Sequence, residues 1–324
     1  MSLKAQYVPG CARVFEPRTI VCAFHDIDGT HSLIRNWPPV MSAVLNDVIE
    51  RGLPGNFDSP ENRQRLIGAC GTRVLPETDS FCVESAGLSA LTQMEWAIRR
   101  AVEEGRVDAP CDPKANRLII ERIEQGEERF DDVPETAEMT RMLSVFTPRL
   151  FKLYEAVLNG FCRDRNLAAA RLEPERFRVK GSMEFLNMLY SAGVKNYFVT
   201  GAVVERGMGM FEEVEALGYP IRPGRMIEDI IGSTWDKKMP KDEIMVFLAK
   251  QLGLKGENIL VTGDGRSEIQ AGIGLGALAL SRLPAGAARQ RELHTILGTH
   301  MIVEDFDDPL ISQVFTRFPQ GGTK

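Results

Sequence analysis

The chain's apolar and polar positions change period twice. The run Ile20-Val21-Cys22-Ala23-Phe24 is apolar without alternation, as in a parallel strand buried on both faces, and stops at Asp26-Ile27-Asp28-Gly29-Thr30. Residues 1–19, with Pro9, Gly10 and Pro17, read as an irregular lead-in. From Val40 to about Phe177 the period is helical, with helices predicted over Val40–Arg51, Pro60–Ala69, Phe81–Glu104, Lys114–Glu124 and Thr136–Phe161. In the third, Leu88, Leu91, Met94, Ile98 and Val102 share a face from whose middle Glu95 projects, either to solvent past its neighbours or to a substrate.

After Val179 the strand pattern returns. Strands are predicted at Asn196–Thr200, Asn258–Thr262, Ala277–Leu280 and His300–Val303. Helices are predicted at Ser182–Ser191, Val204–Ala216, Lys241–Gly253, from Gly263 through Ala271, and at Ala287–Leu297. Alternation of this kind predicts an α/β fold, a doubly wound parallel sheet into which a helical domain is inserted after the first strand. The expected boundaries are 1–37 with 178–324 for the sheet domain and 38–177 for the insertion.

Composition narrows the function classes. The 324 residues are 44% hydrophobic and 26% charged, with a net charge of −6 and no long basic block, which argues against a nucleic-acid or membrane partner. Six dispersed cysteines without a C-x-x-C pair suggest reduced thiols in a cytoplasmic protein. No segment approaches the ~20 apolar residues of a membrane span.

Chemistry concentrates at strand ends. Asp26 and Asp28 form a costly carboxylate pair unless a cation or a proton relieves their repulsion. Later ends carry Thr200-Gly201 and Gly263-Asp264, the latter followed by Glu268, and Lys241 opens a helix. Asp26-Ile27-Asp28-Gly29-Thr30, Thr200, Lys241 and Gly263-Asp264 with Glu268, in this order, resemble the motifs of the haloacid dehalogenase (HAD) superfamily of phosphohydrolases. The resemblance covers residues 20–30 and about 181–304, and the insertion matches that family's C1-type cap in position alone.

The resemblance implies a Rossmann-like core and a Mg²⁺-dependent phosphatase of a small phosphorylated metabolite. Asp26 would be the nucleophile that forms an aspartyl-phosphate, and Asp28 the general acid and base. Thr200, Gly201 and Lys241 would hold the phosphoryl group. Asp26, the Asp28 carbonyl and Asp264 would hold the metal, with Glu268 orienting them. Lys238 competes with Lys241 for the lysine role. His31, Arg35 and Trp37, and more weakly Arg73, are candidates for leaving-group recognition, while His294 and His300 are expected away from the site. A phosphomutase and a phospho-ligand binding module remain open, a dehalogenase or phosphonatase is disfavoured by Asp28, and the helical insertion could support a homodimer.

Overall fold

A computed structural model describes residues 2–34, 37–235 and 237–318. Strands β1 (Ser2–Ala5), β2 (Arg18–Ile20) and β3 (Cys22–His25) lead into a helical block of α1 (Trp37–Arg51), α2 (Pro60–Ala69), α3 (Pro76–Glu84), α4 (Ala90–Glu103), α5 (Pro113–Glu124), α6 (Ala137–Leu158) and α7 (Asp164–Leu172). The chain returns through α8 (Ser182–Ser191), β4 (Lys195–Glu205), α9 (Gly209–Ala216), β5 (Asp229–Ser233), α10 (Lys241–Gln251), β6 (Ile259–Gly263), α11 (Arg266–Gly274) and β7 (Leu278–Arg282). It ends in α12 (Ala288–Leu297), β8 (Met301–Val303), α13 (Pro309–Val314) and β9 (Phe315–Phe318).

The main sheet has the order β5-β4-β3-β6-β7-β8 and every pair in it is parallel. Successive side chains of β3 serve opposite faces. Cys22 and Phe24 pack with Ile244 and Met245 of α10, whereas Ala23 packs with Phe185 and Leu189 of α8. Both faces are therefore covered, which is why the strand reads as unbroken apolar sequence. Strand order reverses at β3, whose neighbours are β4 on one side and β6 on the other, so the carboxyl ends of these three strands flank a topological switch point.

The helical block has its own core, running from Val40 to Cys162 and centred on residues such as Met94, Ala97, Ile120 and Leu150. Ser59, Asp112 and Thr136 cap α2, α5 and α6 through side-chain acceptors, and proline opens α2 and α5. Phe81 stacks on Trp96 at 3.7 Å between ring centroids. The buried Arg99 guanidinium is held by Glu95 (2.8 Å) and Glu135 (2.7 Å). Glu95 thus does not run free to solvent: Arg99 pairs with it and Lys238 lies 3.7 Å away.

Several sequence-based expectations are corrected. The lead-in holds β1 and β2, which form a small antiparallel sheet with the C-terminal β9. The helix expected over Phe81–Glu104 is two, α3 and α4, separated by a loop in which Leu88 is buried for reasons of the site below. The predicted helix Val204–Ala216 starts only at Gly209, since β4 continues to Glu205 and turns back through a bridge to Met208. Strand β5 was not anticipated. All six cysteines are free thiols, and among the described residues no helix is long and apolar enough to cross a membrane.

Candidate active site

Asp26 follows β3 and extends its ladder by one bond, its N–H donating to the Thr262 carbonyl (2.9 Å). The chain then folds tightly around the Ile27 carbonyl, which accepts the N–H groups of Thr30, His31 and Ser32. Gly29 makes this turn at φ +73°, and a Cβ there would fall 1.9 Å from an Asp264 carboxylate oxygen. The Arg282 guanidinium, at the end of β7, donates to the Gly29 carbonyl (2.9 Å) and pins the loop from the other side.

Lys241, the first residue of α10, is buried and its Nζ lies 2.6 Å from Asp26 Oδ1 and 2.9 Å from Glu268 Oε2. Lys238 is turned elsewhere: its ammonium donates to the Glu128 carbonyl (2.6 Å) and sits over the Phe130 ring. Glu268 also accepts from Ser267 Oγ (2.9 Å) and from the Gly265 N–H at the start of α11. Asp26, Asp264 and Glu268 present oxygens within 4.8 Å of one another. These are hard donors of the kind Mg²⁺ takes. Because the oxygens of Glu268 are engaged by protein donors, it stands behind Lys241, whereas Asp26 and Asp264 flank the loop carrying the Asp28 carbonyl.

Burial governs the proton affinities. It pushes the Asp26 carboxyl up to about 6, with the Lys241 ammonium opposing the rise and Glu268 adding to it. Asp28 is raised well above the usual carboxylate range by burial and then by the carboxylates of Glu213, Asp26 and Asp264. Burial would raise Glu268 too, but Lys241 and the neighbouring N–H groups bring it below its ordinary value. One strand end therefore holds two carboxyl groups whose proton affinities are both raised by burial and by their neighbours' charge.

These groups line a cavity of about 630 Å³ between the sheet's carboxyl edge and the helical block. Thr200 and Gly201 of β4 form part of its wall, and Thr200 Oγ1 accepts from the Ala202 N–H (3.1 Å). The loop between α3 and α4 is pressed onto this edge. A Cβ on Gly201 would come within 2.4 Å of the Leu88 carbonyl, and Ser267 Oγ lies 3.0 Å from the Gly87 carbonyl, which shares the serine's hydroxyl proton with Glu268. Trp37, Met41, Phe151 and Tyr154 complete the wall from the helical side.

Other candidates fall elsewhere. His31 is fully buried behind the Asp26 loop, stacked on Phe306 at 4.8 Å, and does not reach the cavity. Arg73 is exposed and pairs with Glu50. Arg35 lies outside the described residues. His300 is remote as expected, its Nδ1 accepting from the Ala279 N–H, but His294 is among the residues lining the cavity, its ring bonded to Ser281 Oγ (2.8 Å). Glu213, Tyr154, Glu155 and Arg163 line the cavity and were not anticipated.

His31 belongs to a buried hydrogen-bond chain whose tautomers can be assigned. The Asn196 amide nitrogen faces the Met226 carbonyl, so its oxygen faces His25 Nε2 (3.1 Å), which must carry a proton. His25 Nδ1 is then an acceptor for Thr262 Oγ1 (2.7 Å) and His31 Nε2 (3.2 Å), and His31 Nδ1 accepts from Ser182 Oγ (2.6 Å). Burial pushes His25 down to about 4, and burial with His25 and Arg282 nearby holds His31 well below its ordinary value. Stability carried by these neutral rings is complete above about pH 6.5, where unfolded histidine is also neutral, and is lost as pH falls toward 4. In denaturant titrations over about pH 6 to 4.5, the unfolding free energy of His31→Asn is expected to fall with acid less steeply than wild type by up to one proton. That is about 1.4 kcal/mol per pH unit. Equal slopes would show that His31 is not held neutral.

No family model matches the chain, and no curated protein does. Among solved structures it is similar to a hydrolase from Pseudomonas syringae, at 16% identity over 90% of this chain and 96% of that one, with a TM-score of 0.47. It is similar to a beta-phosphoglucomutase from Clostridium difficile, at 12% identity over 91% and 95% of the two chains, with a TM-score of 0.45. A third likeness is to a haloacid dehalogenase-like family hydrolase from Streptococcus pneumoniae, at 12% identity over 91% and 98%, with a TM-score of 0.44.

Proposed function

We propose that the protein is a Mg²⁺-dependent phosphatase of a small phosphorylated metabolite, working through a phosphorylated Asp26. The observation that carries this reading is the buried Lys241 ammonium 2.6 Å from Asp26, at a strand edge where Thr200 and Asp264 meet under one cavity. Phosphoryl transfer asks a protein chiefly to position groups and neutralise charge, and this edge offers both.

In the first half-reaction the Asp26 carboxylate attacks phosphorus, the ester P–O bond breaks, and Asp28 gives its proton to the departing oxygen. Asp28, now a carboxylate, then takes a proton from the water that attacks the aspartyl-phosphate, which returns Asp26 and releases phosphate. The Thr200 hydroxyl and the Lys241 ammonium hold the phosphoryl oxygens throughout. Asp26, the Asp28 carbonyl and Asp264 would hold Mg²⁺, which when bound adds positive charge to the same oxygens. The helical block serves as the cap, with its Ala86-Gly87-Leu88 loop shielding the edge from bulk water.

The test is release of inorganic phosphate from a panel of phosphomonoesters, with Mg²⁺ and after chelation. Turnover is expected with Mg²⁺, to be lost with chelator and restored by added metal. Transfer of the phosphoryl group to a second sugar hydroxyl in place of release as inorganic phosphate would make the protein a phosphomutase, and no turnover of any ester would sink the enzymatic reading.

A further inference from the structure

We propose that the cavity wall beside Asp28 is a leaving-group pocket for an uncharged, polyhydroxylated group, read by Tyr154, the Glu155–Arg163 pair and Glu213. This rests on the phosphatase reading, since it takes Asp28 to mark where the leaving oxygen departs.

Three observations support it. First, Tyr154 is 5% exposed and lines the cavity, and its hydroxyl has no hydrogen-bond partner among the described residues. A phenol hydroxyl that borders a cavity without a protein partner can be completed by whatever fills it. Second, the fold spends unusual local structure here. A π-helical turn, Asn159–Arg163, interrupts the path from α6 to α7 and turns Arg163 inward, where its guanidinium donates to both carboxylate oxygens of Glu155 and to Asn159 Oδ1 (3.2 Å). Third, Glu213 of α9 is buried, lines the cavity, and receives the Ser32 hydroxyl on Oε1 (2.6 Å).

The charge balance selects the ligand class. Among the described residues, the wall around Asp28 carries Glu155 and Glu213, while Glu155 already engages Arg163 at 3.2 Å through Nη2 and Asp26 and Glu268 engage Lys241. A leaving group with its own carboxylate or second phosphate would bring a further negative charge to this wall and be repelled. Hydroxyls suit it: each donates to a carboxylate lone pair and accepts from a phenol or guanidinium. The apolar Phe151 and Met210 beside these groups suit the carbon faces of such a molecule.

The experiment compares the full-length protein with Tyr154→Phe on glucitol 6-phosphate, 3-phosphoglycerate and 4-nitrophenyl phosphate, with Mg²⁺. For wild type, kcat/KM on the polyol phosphate is expected to exceed that on the carboxylated ester by about 10-fold or more. In Tyr154→Phe the polyol-to-nitrophenyl ratio of kcat/KM should drop about 10-fold, through KM and not kcat. A preference for 3-phosphoglycerate, or an unchanged ratio, would overturn the proposal. Binding is read independently by saturation-transfer NMR with free glucitol, expected with wild type, weakened in Tyr154→Phe, and absent for glycerate. Glucitol binding without turnover of any ester would sink the phosphatase reading while keeping the pocket; no glucitol binding would sink the pocket.

Discussion

Asp26→Asn should lower phosphate release by at least about 10⁴-fold, because an amide cannot attack phosphorus and no second group stands where Asp26 does. The same substitution should leave the melting temperature within a few degrees of wild type. Asp26 shares its buried edge with Asp28, Asp264, Glu268 and Glu213, while Lys241 is the cation paired with it. Burial and Glu268 already raise its carboxyl to about 6 against the pull of Lys241, so its ionised form is held at a cost near neutral pH. Replacing it by a neutral isostere removes that repulsion and leaves Lys241 paired with Glu268 at 2.9 Å. Thermal melts beside single-turnover assays separate the two effects. A variant that keeps turnover would remove Asp26 from the nucleophile's role, and one that unfolds would show that the Asp26–Lys241 pair carries the fold as well.

The placement of this edge was legible in the sequence because its signal is local. An unbroken apolar run ending in Asp26-Ile27-Asp28-Gly29-Thr30 describes a strand covered on both faces and a turn that only glycine makes without collision. What was not legible depends on partners far away in the chain. Strands β1 and β2 are four and three residues long, β1 pairing with β2 and with β9 more than 300 positions on, so neither has enough period to be seen alone. Strand β5 begins with Asp229 and contains Gly232, which local propensity assigns to a turn. Leu88 continued the apolar face of the following helix, yet it is buried because its loop is wedged against Gly201. His31 follows the aspartate loop directly in sequence, but the turn around the Ile27 carbonyl sends it into the aromatic cluster of Phe198 and Phe306. Nothing in the sequence singles out Glu213 or Arg163. Only the cavity between the helical block and the sheet shows that their side chains point inward.

Lys241→Met should cost about 3 kcal/mol or more of stability and at least about 100-fold in turnover. The cost comes from what is left behind: Asp26 and Glu268, both buried, lose the ammonium that lies 2.6 and 2.9 Å from them. Glu268 is held below its ordinary proton affinity only by Lys241 and the N–H groups around it, so without the lysine its ionised form becomes the unfavourable one. Lys241→Met/Glu268→Gln should therefore recover much of the lost stability, since the second change removes the orphaned carboxylate and keeps a group able to accept from the Gly265 N–H. It should recover none of the turnover, because the charge that meets the phosphoryl oxygens is still missing. Denaturant titrations of the two single variants and the double form a cycle whose coupling reads this directly. Additive losses would mean that Lys241 and Glu268 do not act as a pair, and activity regained in the double variant would mean that the lysine's task is to neutralise Glu268 and not to hold the substrate.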